Sequence, residues 1–117
     1  MFRVIIAGGR DFTDMDLLTR TMDHLLSRTT DKIQIVCGKA RGADTLGEEY
    51  AKLRSLDIAY YPANWDRDGK SAGFKRNVEM AKNADALVAF WDGQSRGTKH
   101  MIETGKKCGL KVRIVKY

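Results

Sequence analysis

The sequence predicts a doubly wound α/β fold: a five-stranded, mostly parallel sheet in the order 3-2-1-4-5, with about four helices on its two faces. Short β-branched runs alternate from end to end with stretches of helical period, which is the pattern of successive βα units. Most of these runs stop at a glycine, a proline or a turn cluster, where a strand hands over to the next loop. The size agrees: 117 residues, 43% hydrophobic and 31% charged, suffice for one core and are too apolar for a disordered segment. A single domain over residues 1–117, without linker or repeat, is expected.

Phe2 to Ala7 (FRVIIA) is a short apolar run ended by Gly8-Gly9, the form of a central strand covered on both faces. A helix begins at about Asp14; Asp14 and Asp16 suit its positive N-terminal end, and Leu18, Met22, Leu25 and Leu26 make one buried stripe. Lys32 to Cys37 (KIQIVC) is the second strand, closed by Gly38. Ala43 to Arg54 is a helix with Ala43, Leu46, Tyr50 and Leu53 inward.

Asp57 to Tyr61 is a third, weaker strand. Pro62, the only proline, closes it and opens the aperiodic loop PANWDRDGKSAG. Loops of that length inside compact domains often carry function. The third helix runs from about Ala72 to Lys82 with Phe74, Val78 and Ala81 on one face, and Ala84 to Trp91 (ADALVAFW) is the fourth strand. After the turn through Asp92-Gly93 and Arg96-Gly97-Thr98, a last helix places Met101, Ile102, Gly105 and Cys108 on one face. Lys111 to Lys116 is the closing strand. Right-handed crossovers and short connections arrange these elements as a doubly wound sheet.

No window approaches the run of about 18 apolar residues that spans a bilayer, and no basic segment followed by an apolar run opens the chain. A cytoplasmic protein without membrane contact is expected. Cys37 and Cys108 lie far apart and outside any CxxC pair, so free thiols are expected and structural zinc is not. No ligand cluster suggests a metal, and no cofactor is expected. The net charge of +6 is localised: residues 96–117 hold seven cationic side chains against Glu103 alone, while residues 1–95 balance.

Open parallel sheets bind ligands outside the carboxyl ends of the strands, where the strand order reverses. That point falls between strands one and four. Four loops leave those ends: Gly8-Gly9-Arg10-Asp11, Gly38 through Gly42 to Asp44, Pro62 to Gly73, and Trp91 to Thr98. Glycine admits close backbone approach, and amides at a helix start attract phosphate or carboxylate. Arg10 suits bidentate pairing with phosphate, and Asp11 suits either a ribose hydroxyl or Arg10 itself. Asp44 is an acceptor at the start of the second helix. Trp65 offers a stacking face beside Asn64; Lys70 and Arg76, with Gly73 and Asn77, supply cations and amide groups; Gly97-Thr98 offers amides and a hydroxyl. Neither GxGxxG nor GxxxxGK[ST] occurs, so neither a dinucleotide fingerprint nor a P-loop is supported. His24 and His100 lack a paired nucleophile.

The segments GGRDF (Gly8 to Phe12), CGKARGAD (Cys37 to Asp44), PANWDRDGKSAGFKRNVEM (Pro62 to Met80) and RGTKHMIETGKKCG (Arg96 to Gly109) resemble the YspA-type branch of the SLOG superfamily, in that family's order and over nearly the whole chain. The resemblance implies a Rossmann-like domain whose relatives bind nucleotides or nucleotide-derived ligands and commonly pair, and it implies a phage or bacterial source. The matching positions are Gly8, Gly9, Arg10, Asp11, Gly38, Gly42, Asp44, Asn64, Trp65, Lys70, Gly73, Arg76, Asn77, Gly97 and Thr98. The enzymatic branch, similar to the LOG phosphoribohydrolases, carries PGGxGTxxE. Aligned on Gly97-Thr98, its glutamate falls on Met101, and Glu103 lies about 200° further round the helix.

Three functions follow as expectations. The first is a binding module for a phosphorylated nucleotide or an NAD- or nucleotide-derived ligand, acting as sensor or sequestering protein. The second is a nucleotide N-glycosidic hydrolase working through Asp11 or Asp44. The third, less favoured, is single-stranded nucleic-acid binding by the basic C-terminal segment, whose charge is not interleaved with aromatics. A homo-oligomer through helix faces bearing Met15, Leu17 and Tyr50 is expected.

Overall fold

The computed structural model describes residues 1–117. The strands β1 (Phe2–Gly8), β2 (Ile33–Cys37), β3 (Asp57–Tyr60), β4 (Ala86–Trp91) and β5 (Lys111–Lys116) form one sheet in the order β3-β2-β1-β4-β5. Every adjacent pair is parallel. The helices are α1 (Met15–Leu26), α2 (Ala43–Leu53), a one-turn α3 (Trp65–Asp68), α4 (Ala72–Lys82) and α5 (Arg96–Lys107). No helix is long and apolar enough to cross a membrane.

Side chains of a strand alternate between faces, so each central strand feeds two cores. On one face Val4 and Ile6 of β1, with Ile33, Ile35 and Val88, pack against Leu18, Met22, Tyr50 and Ala51 of α1 and α2. On the other, Ile5, Ala7, Val36, Leu87 and Ala89 meet Met80 and Ala81 of α4 and Met101 and Ile102 of α5. This explains why FRVIIA reads as an unbroken apolar run. Full burial of Leu18 and Met22 contributes about 1.5–3 kcal/mol each and fastens α1 to the sheet. Its start is set by Asp14, whose carboxylate accepts from the Leu17 amide at 3.0 Å.

The edge strand β5 exposes Lys111, Arg113 and Lys116, charges that discourage another strand from pairing there. Lys106 and Lys107 sit in the last turn of α5, complementing its negative end. Because α5 starts at the carboxyl end of β4 and runs back along the sheet, Lys106, Lys107 and Lys111 lie at the end opposite the strand-end loops, while Arg96, Lys99 and Lys116 lie at the loop end.

Several expectations are corrected. The stretch from Pro62 to Gly73 is not aperiodic loop: it contains α3 and a 3₁₀ turn over Gly69–Ser71, elements too short to reveal a period. Tyr50 is not an exposed docking residue but 2% exposed, donating its hydroxyl to Asp23 at 2.7 Å. Arg54 grips the same carboxylate through two bonds, at 3.0 and 2.7 Å, and so locks α1 to α2. Met15 and Leu17 also pack against the first core. Leu53, Phe74 and Cys108, expected inward, are exposed. On α4 Ala81 is inward as expected, but it is joined by Asn77 and Met80, a buried asparagine taking a place that hydrophobicity assigns to Phe74.

Candidate functional site

The reversal of strand order separates the connections leaving β1 and β4 to opposite faces and opens a cleft of about 500 Å³ at their carboxyl ends. From the first loop, Gly8, Gly9, Arg10 and Asp11 line it. Gly8 and Gly9 are small because the chain is crowded there: a Cβ would lie 2.3 Å from the Phe90 carbonyl oxygen in one case and 2.1 Å from the Tyr117 hydroxyl in the other. Asp11 does not hold Arg10. It accepts from the Tyr117 hydroxyl at 2.7 Å, while Phe12 is sandwiched by Phe90 and Tyr117, with centroids at 4.8 and 4.7 Å. Burial, and after it the Asp11 carboxylate, push the Tyr117 phenol upward. Arg10 is exposed and makes no ion pair.

From the second loop only Asp44, of the predicted residues, reaches this cleft. Gly42 stands behind it and shapes the turn, with φ +75° and the Ala43 amide donating to the Gly9 carbonyl at 3.2 Å. Gly38 is likewise a backing residue: a Cβ there would lie 2.8 Å from both the Arg76 guanidinium and the Asp44 carboxylate. Asp44 is 6% exposed and accepts from the Ala40 amide at 3.1 Å. Burial outweighs that bond and the nearby Arg76 charge, so its pKa is raised.

In the third loop Asn64 does not face the cleft; its side chain caps α3 by accepting from the Arg67 amide at 3.0 Å. Trp65, Lys70, Gly73, Arg76 and Asn77 do line it. Arg67 and Lys75 both bind Asp68 and hold its carboxyl down to about 2. That carboxylate is therefore spent within the loop, leaving Lys70 without an ion partner. Arg76 donates to the Gly38 carbonyl and, at 3.1 Å, to the Asn77 side-chain oxygen; the Asn77 amide reaches the Gly97 carbonyl at 3.4 Å and His100 Nδ1 at 3.1 Å. This relay joins the second, third and fourth loops.

The fourth loop is organised by Ser95, which caps α5. Its hydroxyl lies 3.4 Å from the Thr98 amide and 3.0 Å from the Thr98 hydroxyl. The Thr98 hydroxyl thus pairs with Ser95, and Thr98 lines the cleft. Asp92 accepts from the Gln94 and Ser95 amides, which lowers its pKa and holds the turn. Gly97 lines the cleft beside buried Met101, whereas Glu103 points away, 3.9 Å from Lys99. Phe74 also lines the cleft, stacked on His100 at 4.1 Å; burial lowers the His100 pKa.

Twelve of the fifteen predicted positions meet in this cleft; Gly38, Gly42 and Asn64 support it from behind. Ser95 was readable as a polar residue just before a helix. Tyr117 was not, since its partner lies 106 residues away.

The raised pKa of Asp44 sets a sign. Its folded state holds the proton more tightly than the unfolded chain, so stability decreases as pH rises from about 4 through the folded pKa. Asp44→Asn, which retains an acceptor for Ala40, should flatten that part of the stability profile. Urea midpoints measured between pH 4 and 8 check this; a variant whose midpoints track those of the parent chain contradicts it.

A family profile described as YspA, cpYpsA-related SLOG family matches residues 2–67, which take in the first two loops and the third as far as Arg67. A protein of Mycobacterium phage D29 called Gene 61 protein is 35% identical over 118 residues, spanning 96% of this chain and 94% of its own length. No solved structure matches the chain significantly.

Proposed function

The chain belongs to the YspA, cpYpsA-related SLOG family, which points to a nucleotide-related ligand-binding module, and from that premise we propose that it binds a phosphorylated nucleotide or nucleotide-derived ligand in the cleft at the ends of β1 and β4, as a sensor or sequestering protein. The observation that carries this reading is Gly97. Every other glycine has a positive φ or a neighbour within 4 Å of a would-be Cβ; Gly97 has neither, yet sits in the first turn of a helix, where glycine costs about 1 kcal/mol against alanine. A backbone left bare toward the cleft suits close approach of a phosphate to helix-start amides. Arg10 and Lys70, without ion partners in the protein, supply countercharge, and exposed Trp65 supplies a stacking face.

Turnover is less well supported. Asp11 is bound by Tyr117, Asp44 is buried beside Arg76, and Met101 occupies the position of the phosphoribohydrolase glutamate. Single-stranded nucleic-acid binding is also disfavoured, since the C-terminal cations form no continuous track: Lys106, Lys107 and Lys111 lie at one end of the sheet and Arg96, Lys99 and Lys116 at the other.

Thermal unfolding against a panel of nucleotides tests the proposal. At about 100 times the dissociation constant, a bound nucleotide stabilises by about 2.7 kcal/mol and raises the melting temperature by several degrees. Arg10→Ala should remove most of that shift. Gly97→Val should abolish it while leaving the unliganded melting temperature near its starting value, because the side chain enters open space. No shift with any nucleotide refutes the proposal.

A further inference from the structure

Beside the main cleft lies a second, of about 320 Å³, which shares Arg10, Ala40, Trp65 and Arg76 with it and adds Lys39 and Arg41. Resting on the nucleotide-binding reading above, we infer that the ligand carries two separated phosphoryl groups, one in the main cleft and the other held by Arg41 and Lys39. The ligand class is a nucleotide with a phosphoryl group on each side of one ribose, as in a nucleoside 3′,5′-bisphosphate or a 5′-phosphorylated dinucleotide.

Charge is the first argument. Four cationic side chains line the second cleft and no carboxylate does. Arg41 is exposed and makes no ion pair or side-chain hydrogen bond. Lys39 is held in the left-handed region at φ +59°, with its ammonium 3.0 Å from Glu48 and 5.0 Å from the Tyr60 ring centre. Glu48 divides itself between Lys39 and Lys52, 3.1 Å away, so one carboxylate faces two ammonium groups and the cleft stays positive. Cations in excess of their countercharge raise the energy of the folded state, and an anion relieves this.

The shared wall is the second argument. Trp65 is 55% exposed and Arg76 is pinned to the Gly38 carbonyl, and both border the two clefts. A base or ribose lying over Trp65 therefore has cationic side chains on both sides. A monophosphate fills one side only.

Calorimetric titration of the intact chain distinguishes the cases. The probes are the 5′-monophosphates of the four ribonucleosides, the matching 3′,5′-bisphosphates, and the 5′-phosphorylated dinucleotide of whichever base binds. The second phosphoryl should tighten binding about tenfold or more, as expected for a charge-assisted contact. Arg41→Gln, and the double variant Lys39→Gln with Arg41→Gln, should reduce that advantage to about threefold or less and leave monophosphate affinity within about twofold. A dinucleotide tighter than the bisphosphate identifies the dinucleotide; equal affinities identify the bisphosphate. Equal binding of mono- and bisphosphates, or an advantage that survives both variants, overturns this inference while the nucleotide reading stands. Failure of every probe to bind overturns both.

Discussion

Gly42→Ala should lower stability by about 3–5 kcal/mol, a large part of the roughly 5–15 kcal/mol that holds a domain of this size together. Gly42 has φ +75° and ψ −123°, a combination that side-chain-bearing residues avoid. A Cβ would also lie 2.1 Å from the Gly9 carbonyl oxygen and 2.6 and 2.7 Å from Arg10 backbone atoms. Both neighbours are backbone, so no rotamer change relieves the overlap. The first and second loops must part, and the bond from the Ala43 amide to Gly9 is lost with them. In urea the midpoint should fall with little change in slope, and nucleotide-induced stabilisation should disappear. A variant as stable as the parent chain would show that the turn can reshape without cost. Set beside Gly97→Val, this substitution separates a glycine needed for folding from one proposed to serve the ligand.

The second large effect is expected at Arg76. Arg76→Met should weaken nucleotide binding about 10- to 100-fold and reduce stability by about 2 kcal/mol. Its guanidinium ties the Gly38 carbonyl to Asn77 and stands near buried Asp44. Methionine fills similar space but leaves the Gly38 carbonyl without this donor and Asp44 without its nearby cation, raising the Asp44 pKa further. Arg76→Lys sharpens the test. An ammonium keeps the charge but cannot reproduce a planar fork that donates in two directions. Calorimetry and urea unfolding on both variants should place lysine between arginine and methionine. Full rescue by lysine would mean that charge alone matters and that the relay to Asn77 contributes nothing.

The strands were legible because each rests on local pattern, and their order and the strand-end location of the cleft because right-handed crossovers between βα units leave few arrangements. FRVIIA, KIQIVC and ADALVAFW announce buried strands, and Gly8, Gly38 and Asp92-Gly93 announce where they stop. The helix faces were less legible. Asn77 is buried for its bonds to Gly97 and His100, and Phe74 stays half exposed by stacking on His100; hydrophobic period reverses both. The third loop hid a four-residue helix, since one turn is shorter than any window in which a period can be counted.

What the sequence by itself determined is the family, the parallel sheet and the set of residues brought to one edge, because periodicity, turn residues and motif order are properties of neighbours along the chain. What the tertiary structure alone decided is the role of each residue at that edge. Asp11 is engaged by Tyr117, Asp44 is buried under Arg76, Asn64 serves as a cap, and Arg41 is left unpaired in a second cleft. Those outcomes depend on partners up to 106 residues distant and on which charges find a countercharge first, quantities that exist only after the chain has closed on itself.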